Sequence, residues 1–228
     1  GTSRCIAADL PAHGVSPARQ DMSVTALAEA LADLCDSLGL GQVDLVGNDT
    51  GGAIAQIFAA RHPDKIRTLT LTDCDCEGNF PPKEFIPFLE QARQGTLAPL
   101  LVQLAANPWS AHPMSTAYQY PDRVPQDAVR DYLAATATIE RARDIERLLA
   151  SFDAADIEAA GGQLRTLEVP TLLVWGTADT SFDVTWAYHL RDMIPGAREV
   201  IEIDGAKVFF PEERPEDLVP HLRRLWGR

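Results

Sequence analysis

The stretch from Leu45 to Gln56, LVGNDTGGAIAQ, admits few folds. An apolar run (QVDLVGN) reaches a corner flanked by glycines and passes at once into a helical pattern, GGAIAQIFAARHP, that Pro63 terminates. A third run, IRTLTLTD (66–73), is rich in the Thr and Leu of a strand. Strand, helix and strand in that order predict parallel neighbours, because a parallel strand returns to the same edge only through a long crossover. The corner carries further information. A strand that turns sharply into a helix, with glycines around the apex, presents the apical side chain above the sheet and near the helix N-terminus. Here that side chain is the carboxylate of Asp49.

The rest of the chain repeats the alternation with one interruption. RCIAADLPAHG (4–14) reads as a short strand entering a loop closed by Pro11 and Gly14. Residues 23–38 place Val24, Leu27, Leu31 and Leu34 at helical intervals behind a Ser23 cap, and Gly39 ends the pattern. From Glu77 to about Arg165 the chain reads as Pro-punctuated helix without a clear strand, as in FIPFLEQARQ and AVRDYLAATATIERARDIERLLASF. Strands resume at TLLVWG (171–176) and REVIEID (198–204), with helices at 186–194 and 215–226. The expected fold is α/β, with a mostly parallel central sheet, helices on both faces, a core of 1–76 and 166–228, and a helical insertion at 77–165.

Charge and cysteines narrow the function classes. The 228 residues carry a formal charge of −13, which repels phosphate backbones and anionic lipid heads, so neither nucleic acid nor a membrane surface is an expected partner. Cys5, Cys35, Cys74 and Cys76 lack the spacing of a disulfide framework, and Cys74-Asp75-Cys76 has no second pair for a metal. Reduced thiols, a cytoplasmic location and no metal site are expected. No apolar run of about 18 residues and no charged, apolar leader is visible.

The corner is a nucleophile elbow with aspartate where the G-x-S-x-G pattern has serine. A serine must lose a proton before it attacks, whereas a carboxylate with an ordinary pKa of roughly 4 is already ionised at neutral pH. Asp49 could therefore attack an electrophilic carbon and form an ester. The bland alternative is that Asp49 or Thr50 caps the following helix.

The pieces DLPAHG, VGNDTGGAIAQIFAARHPDKIRTLTL, LLVWGTADTSFDV and FFPEERPEDLVPHLRRLW resemble the α/β-hydrolase superfamily across nearly the whole chain. They look most like its Asp-nucleophile branch of epoxide hydrolases and haloalkane dehalogenases. The resemblance implies that 77–165 is a cap roofing the site, that Asp49 is the nucleophile, and that Asp179 in WGTADTS is the catalytic acid. An Asx turn is the alternative for Asp179, and Asp183 is a weaker substitute. The Thr50 peptide N–H matches one donor of the oxyanion hole. The strand preceding the other donor's loop is not in this sequence; it would lie between RCIAAD and QVDLV, supplied by the rest of a longer chain or by another segment.

The family's histidine position falls in IDGAKVFFPEERP, where Lys207 or Val208 stands instead. His13, His62, His189 and His221 fit loop or helix positions, and only His112, in the insertion, could swing toward a site. Attack by a carboxylate needs no base, but release of the ester does, so turnover should stall after the first step. Lys207 replaces the base only if its pKa is strongly lowered. Asn48, Trp109, Tyr118 and Tyr120 are candidate substrate contacts; Tyr118, Tyr120 and Tyr132 could serve a developing alkoxide. The resulting expectation is a cofactor-free hydrolase of a small apolar epoxide, ester or halide, with a homodimer as the expected assembly if it is not a monomer. The alternatives are a non-hydrolytic relative (ligand-binding protein, isomerase, cyclase or lyase) and an interaction subunit completed by another chain.

Overall fold

A computed structural model of the chain describes residues 4–107 and 116–227. Four parallel strands form one sheet in the order β1 (Val43–Asp49), β2 (Ile66–Cys74), β3 (Thr171–Gly176) and β4 (Ala197–Ile203). Each pairs with its successor in sequence, so every connection is a crossover on a helix, as the alternation requires. β2 and β3 are buried almost throughout, because helices cover both faces of the sheet centre.

α1 (Val24–Ser37) begins where Ser23 accepts from the Ala26 peptide N–H at 3.1 Å. α2 (Thr50–Arg61) packs against α1, β1 and β2, and its run from Gly52 to Ala60 is buried, so it is apolar all round rather than amphipathic. α8 (Thr185–Met193) lies between β3 and β4 in sequence, and α9 (Pro215–Leu225) closes the described chain. α8 packs on β3 and β4 from the side of the main core; α9 packs on β3 through Leu218 and Leu222, which join Leu172, Val174 and Phe210 in a second cluster.

Between β2 and β3 the described residues form α3 (Ile86–Arg93), α4 (Ala98–Ala106), α5 (Gln126–Leu133), α6 (Ile139–Ala150) and α7 (Ala154–Leu164). The expected long helix from Ala128 to Phe152 is broken. Thr138 caps α6 by accepting from the Arg141 N–H, and a 3-10 turn at Ala134–Thr136 separates it from α5. α7 packs on α1 and α2, so the last helix of the insertion belongs to the same core as the sheet.

The strand expected at residues 4–9 does not form. These residues have no regular structure and are exposed, with Ile6 45% accessible. A strand needs a ladder partner for its N–H and C=O groups, and among the described residues no strand lies beside this segment. β1 is consequently an edge strand, and Val46 at its centre is 43% exposed.

Candidate active site

The corner between β1 and α2 has the sharp geometry its glycines suggest. Asp49 adopts φ 53° and ψ −134°, a region costly for a residue with a Cβ, at about 1–3 kcal/mol. Its carboxylate does not cap α2. A Cβ on Gly47 would come within 2.6 Å of the Gly51 carbonyl oxygen, and one on Gly52 within 2.2 Å of Cys74 Cβ. These two glycines let the first turn of α2 close onto both strands. Gly51 has open space around it.

Asp49 is half-buried, and its carboxyl is pushed up to about 6. Burial is the main cause, the Thr50 peptide N–H opposes it, and the negative charge of Asp179 adds to it. At neutral pH the group is mostly ionised.

Asp179 follows β3 and is 7% exposed. Its Oδ1 accepts from the Ser181 and Phe182 peptide N–H groups, both at 2.8 Å, in the Asx turn its context allows. Its Oδ2 is buried without a hydrogen-bond partner. Burial raises the carboxyl, the two N–H donors oppose that, and the Lys207 cation also pulls it down. The chain thus brings Asp49, Asp179 and Lys207 into one electrostatic neighbourhood. Asp183 is used differently, its Oδ1 accepting from the Thr185 N–H at the start of α8.

The position where the resemblance places histidine is held by the corner itself. Asn48 Nδ2 donates to the Val208 carbonyl at 2.8 Å and to the Thr72 carbonyl and hydroxyl, both at 3.0 Å. The Asn48 amide nitrogen is therefore committed to β2 and the 205–209 loop rather than directed at a substrate. Of the described histidines, His13 meets the Pro11 carbonyl and His62 meets Glu29. His189 stacks edge-on against Trp186, and His221 lines a separate cavity of about 380 Å³ below the starts of β3 and β4. None of them is hydrogen bonded to Asp49 or Asp179.

The tyrosines are occupied elsewhere. The Tyr118 and Tyr132 hydroxyls donate to the two oxygens of Glu212 at 2.8 and 2.7 Å, and Tyr118 is 2% exposed. Tyr120 lies under the Arg123 guanidinium at 4.1 Å, its peptide N–H bound by Glu213. These contacts fasten residues 118–132 to the 212–214 segment, and no alkoxide donor comes from them. Trp109 and His112 lie outside the described residues.

Two carboxylates in this neighbourhood escape a motif-based reading. Asp73 (φ 31°) is fully buried and accepts from the Gly176 N–H at 3.0 Å. Asp75 is 1% exposed and its Oδ2 accepts from the Thr50 hydroxyl at 3.0 Å. Burial holds both well above the usual carboxylate range, reinforced by Asp179 for Asp73 and by Asp49 for Asp75. The available signal was TDCDCEGN at the end of a strand beside the elbow, in which the cysteines draw attention first. Cys35, Cys74 and Cys76 are buried free thiols and Cys5 an exposed one. Among the described residues no group of three or more His, Cys, Asp or Glu is placed to hold a metal, and no helix is long and apolar enough to cross a membrane.

Comparisons with known proteins agree with this architecture. A pimeloyl-(acyl-carrier protein) methyl ester esterase of Neisseria meningitidis serogroup C is 28% identical over 86% of this chain and 72% of its own length. The epoxide hydrolase CorEH superposes with TM-score 0.78 at 17% identity, covering 96% of this chain and 80% of that one. A mutant haloalkane dehalogenase DatA of Agrobacterium tumefaciens C58 superposes with TM-score 0.76 at 21% identity, covering 96% and 78%. The sequence profile of the alpha/beta hydrolase fold matches residues 3–214, and the chain belongs to that family.

Proposed function

We propose that this protein is a cofactor-independent hydrolase of the α/β fold in which Asp49 attacks a saturated carbon of a small apolar epoxide or halide. The supporting observation is the placement of Asp49. A carboxylate sits at a strained corner, makes no helix cap, and has its Thr50 peptide N–H donor close by. Strain kept at a site that the helix does not require is the signature of a functional position.

The chemistry of the nucleophile selects the electrophile. Attack by a carboxylate on an ester carbonyl gives an anhydride and expels an alkoxide, a far stronger base than the attacking group. Attack on an epoxide or alkyl halide carbon gives an ordinary ester instead. The esterase relative shares the architecture, but an aspartate at the corner favours reaction at saturated carbon. The helices of the insertion ahead of α7, from α3 to α6, serve as the cap that shields this step from water.

The second half-reaction lacks its usual base. Asp179 Oδ2 has no partner, and no described histidine is hydrogen bonded to Asp179 or Asp49. Lys207 acts on Asp179 as a positive charge that pulls its carboxyl down. The ester therefore accumulates. With an alkyl chloride the protein should release about one equivalent of chloride per chain in a burst and then nearly stop. Sustained turnover would show that a base has been overlooked, and no burst would remove Asp49 as the nucleophile.

The missing imidazole also supports a second reading. A relative that binds its ligand under the cap without forming an ester would show no burst, and its ligand affinity would be unchanged in Asp49→Asn.

A further inference from the structure

Opening an epoxide differs from displacing a halide in one respect. The carbon–oxygen bond that breaks leaves an alkoxide on the product, and that oxygen needs a proton, whereas a halide leaves as a stable anion. The tyrosines of the insertion are not free to give the proton, being bound to Glu212 or exposed beside Arg123. The residue adjoining the nucleophile is Thr50, whose hydroxyl is hydrogen bonded to Asp75 Oδ2 at 3.0 Å.

Asp75 is held unusually firmly for a loop residue. Its carbonyl accepts from Gln56 Nε2 at 2.7 Å, and its peptide N–H donates to the Asp49 carbonyl at 3.4 Å, so α2 and the end of β1 both fix it. It is 1% exposed, and its Oδ1 has no hydrogen-bond partner. A buried carboxylate oxygen left without a partner is costly; the carbonyl oxygen of a neutral carboxylic acid is much less so. The surroundings therefore favour the acid form; with the proton on Oδ2 the 3.0 Å contact is turned round, Oδ2–H donating to Thr50 Oγ1 and freeing the Thr50 hydroxyl hydrogen for a substrate oxygen. Burial and the charge of Asp49 act in the same direction and outweigh a hydrogen bond from the Thr50 hydroxyl, which opposes them. A carboxylic acid kept neutral by its site can serve as a hydrogen-bond donor at neutral pH.

Resting on Asp49 as the nucleophile, we propose that Thr50 and Asp75 form the proton-donating pair for epoxide opening, which makes epoxides a substrate class of this site. An Asp49 oxygen forms a bond to the epoxide carbon as the ring carbon–oxygen bond breaks. The released oxygen takes the Thr50 hydroxyl proton, and Thr50 takes the Asp75 proton. The products are a hydroxyalkyl ester on Asp49 and a carboxylate on Asp75, with charge and protons balanced. Thr50 is the catalytic residue of the pair, and Asp75 acts through it.

The test compares two probes that differ in their need for a proton, styrene oxide and benzyl chloride, on the full chain carrying Cys5→Ser so that the exposed thiol does not compete. The rate of Asp49 ester formation is read by mass spectrometry. In Asp75→Asn, which keeps a hydrogen-bonding amide beside Thr50 but no transferable acid proton, the ratio of the styrene oxide rate to the benzyl chloride rate should fall at least about ten-fold. Thr50→Val should lower the ratio likewise, and it carries the test if Asp75→Asn does not fold; Thr50→Ser should restore it. A merely structural role would slow both probes together, and an unchanged ratio overturns the pair. An unmodified protein labelled by benzyl chloride but never by styrene oxide also overturns it, while leaving the nucleophile standing. No ester from either probe overturns the nucleophile itself, and the pair with it.

Discussion

At the scale of single residues, the corner is a set of steric and electrostatic demands that can be tested one at a time. Gly52→Ala drives a Cβ into Cys74 and should cost about 3 kcal/mol in urea unfolding, whereas Gly51→Ala meets open space and should change stability by less than about 1 kcal/mol, in either direction. An equal cost at both positions would mean that the glycines serve flexibility rather than close approach. The raised Asp49 carboxyl has a kinetic consequence. Only the ionised form attacks, so ester formation should rise with pH and level off above a midpoint near 6. The apex and Asp179 were legible because a strand–Gly–Asp–Gly–helix order and an Asp just past a later strand are local patterns. The occupation of Asn48 by Val208 and the binding of Tyr118 by Glu212 were not legible, since each partner lies about 100 residues or more away in sequence.

At the scale of elements, the strands and helices near the site follow hydrophobic period and cap chemistry closely. β3 falls at 171–176 as read, and α1 starts behind Ser23. The segment at 4–9 fails for a reason no local pattern records, because a strand exists only if something pairs with it. The core holds its elements together partly through a borrowed cap. Asp156, in the first turn of α7, accepts from the Val24 N–H at 3.0 Å and the Thr25 hydroxyl at 2.8 Å, so one carboxylate serves the N-termini of two helices. Asp156→Ala should lower stability by about 1–2 kcal/mol, and Asp156→Asn should recover part of it, both read from thermal melts. A neutral result would show that α1 is held by apolar packing alone.

At the scale of the whole molecule, fold class and chain order were readable because alternating strands and helices have few solutions. The charge balance of the centre was not, because it arises from folding. Asp49, Asp73, Asp75 and Asp179 are all raised by burial, so the folded state binds protons more tightly than the unfolded chain. Their stabilising contribution is fully present below the unfolded carboxylate range and is lost as pH rises through the raised values. Glu29, Glu77 and Asp183 are lowered by partners and act oppositely, losing stability as pH falls below that range. The melting temperature should therefore be higher near pH 5 than near pH 8, a trend that the relief of a net charge of −13 reinforces. A melting temperature that rises steadily toward pH 8 would mean that the central carboxylates are better solvated than their burial implies. The most direct test of the account is to treat the protein with benzyl chloride, digest it, and locate the new ester by fragment masses. One benzyl group on Asp49, absent in Asp49→Asn, is the expected result; a protein whose Asp49 peptide keeps its unmodified mass after prolonged exposure contradicts it.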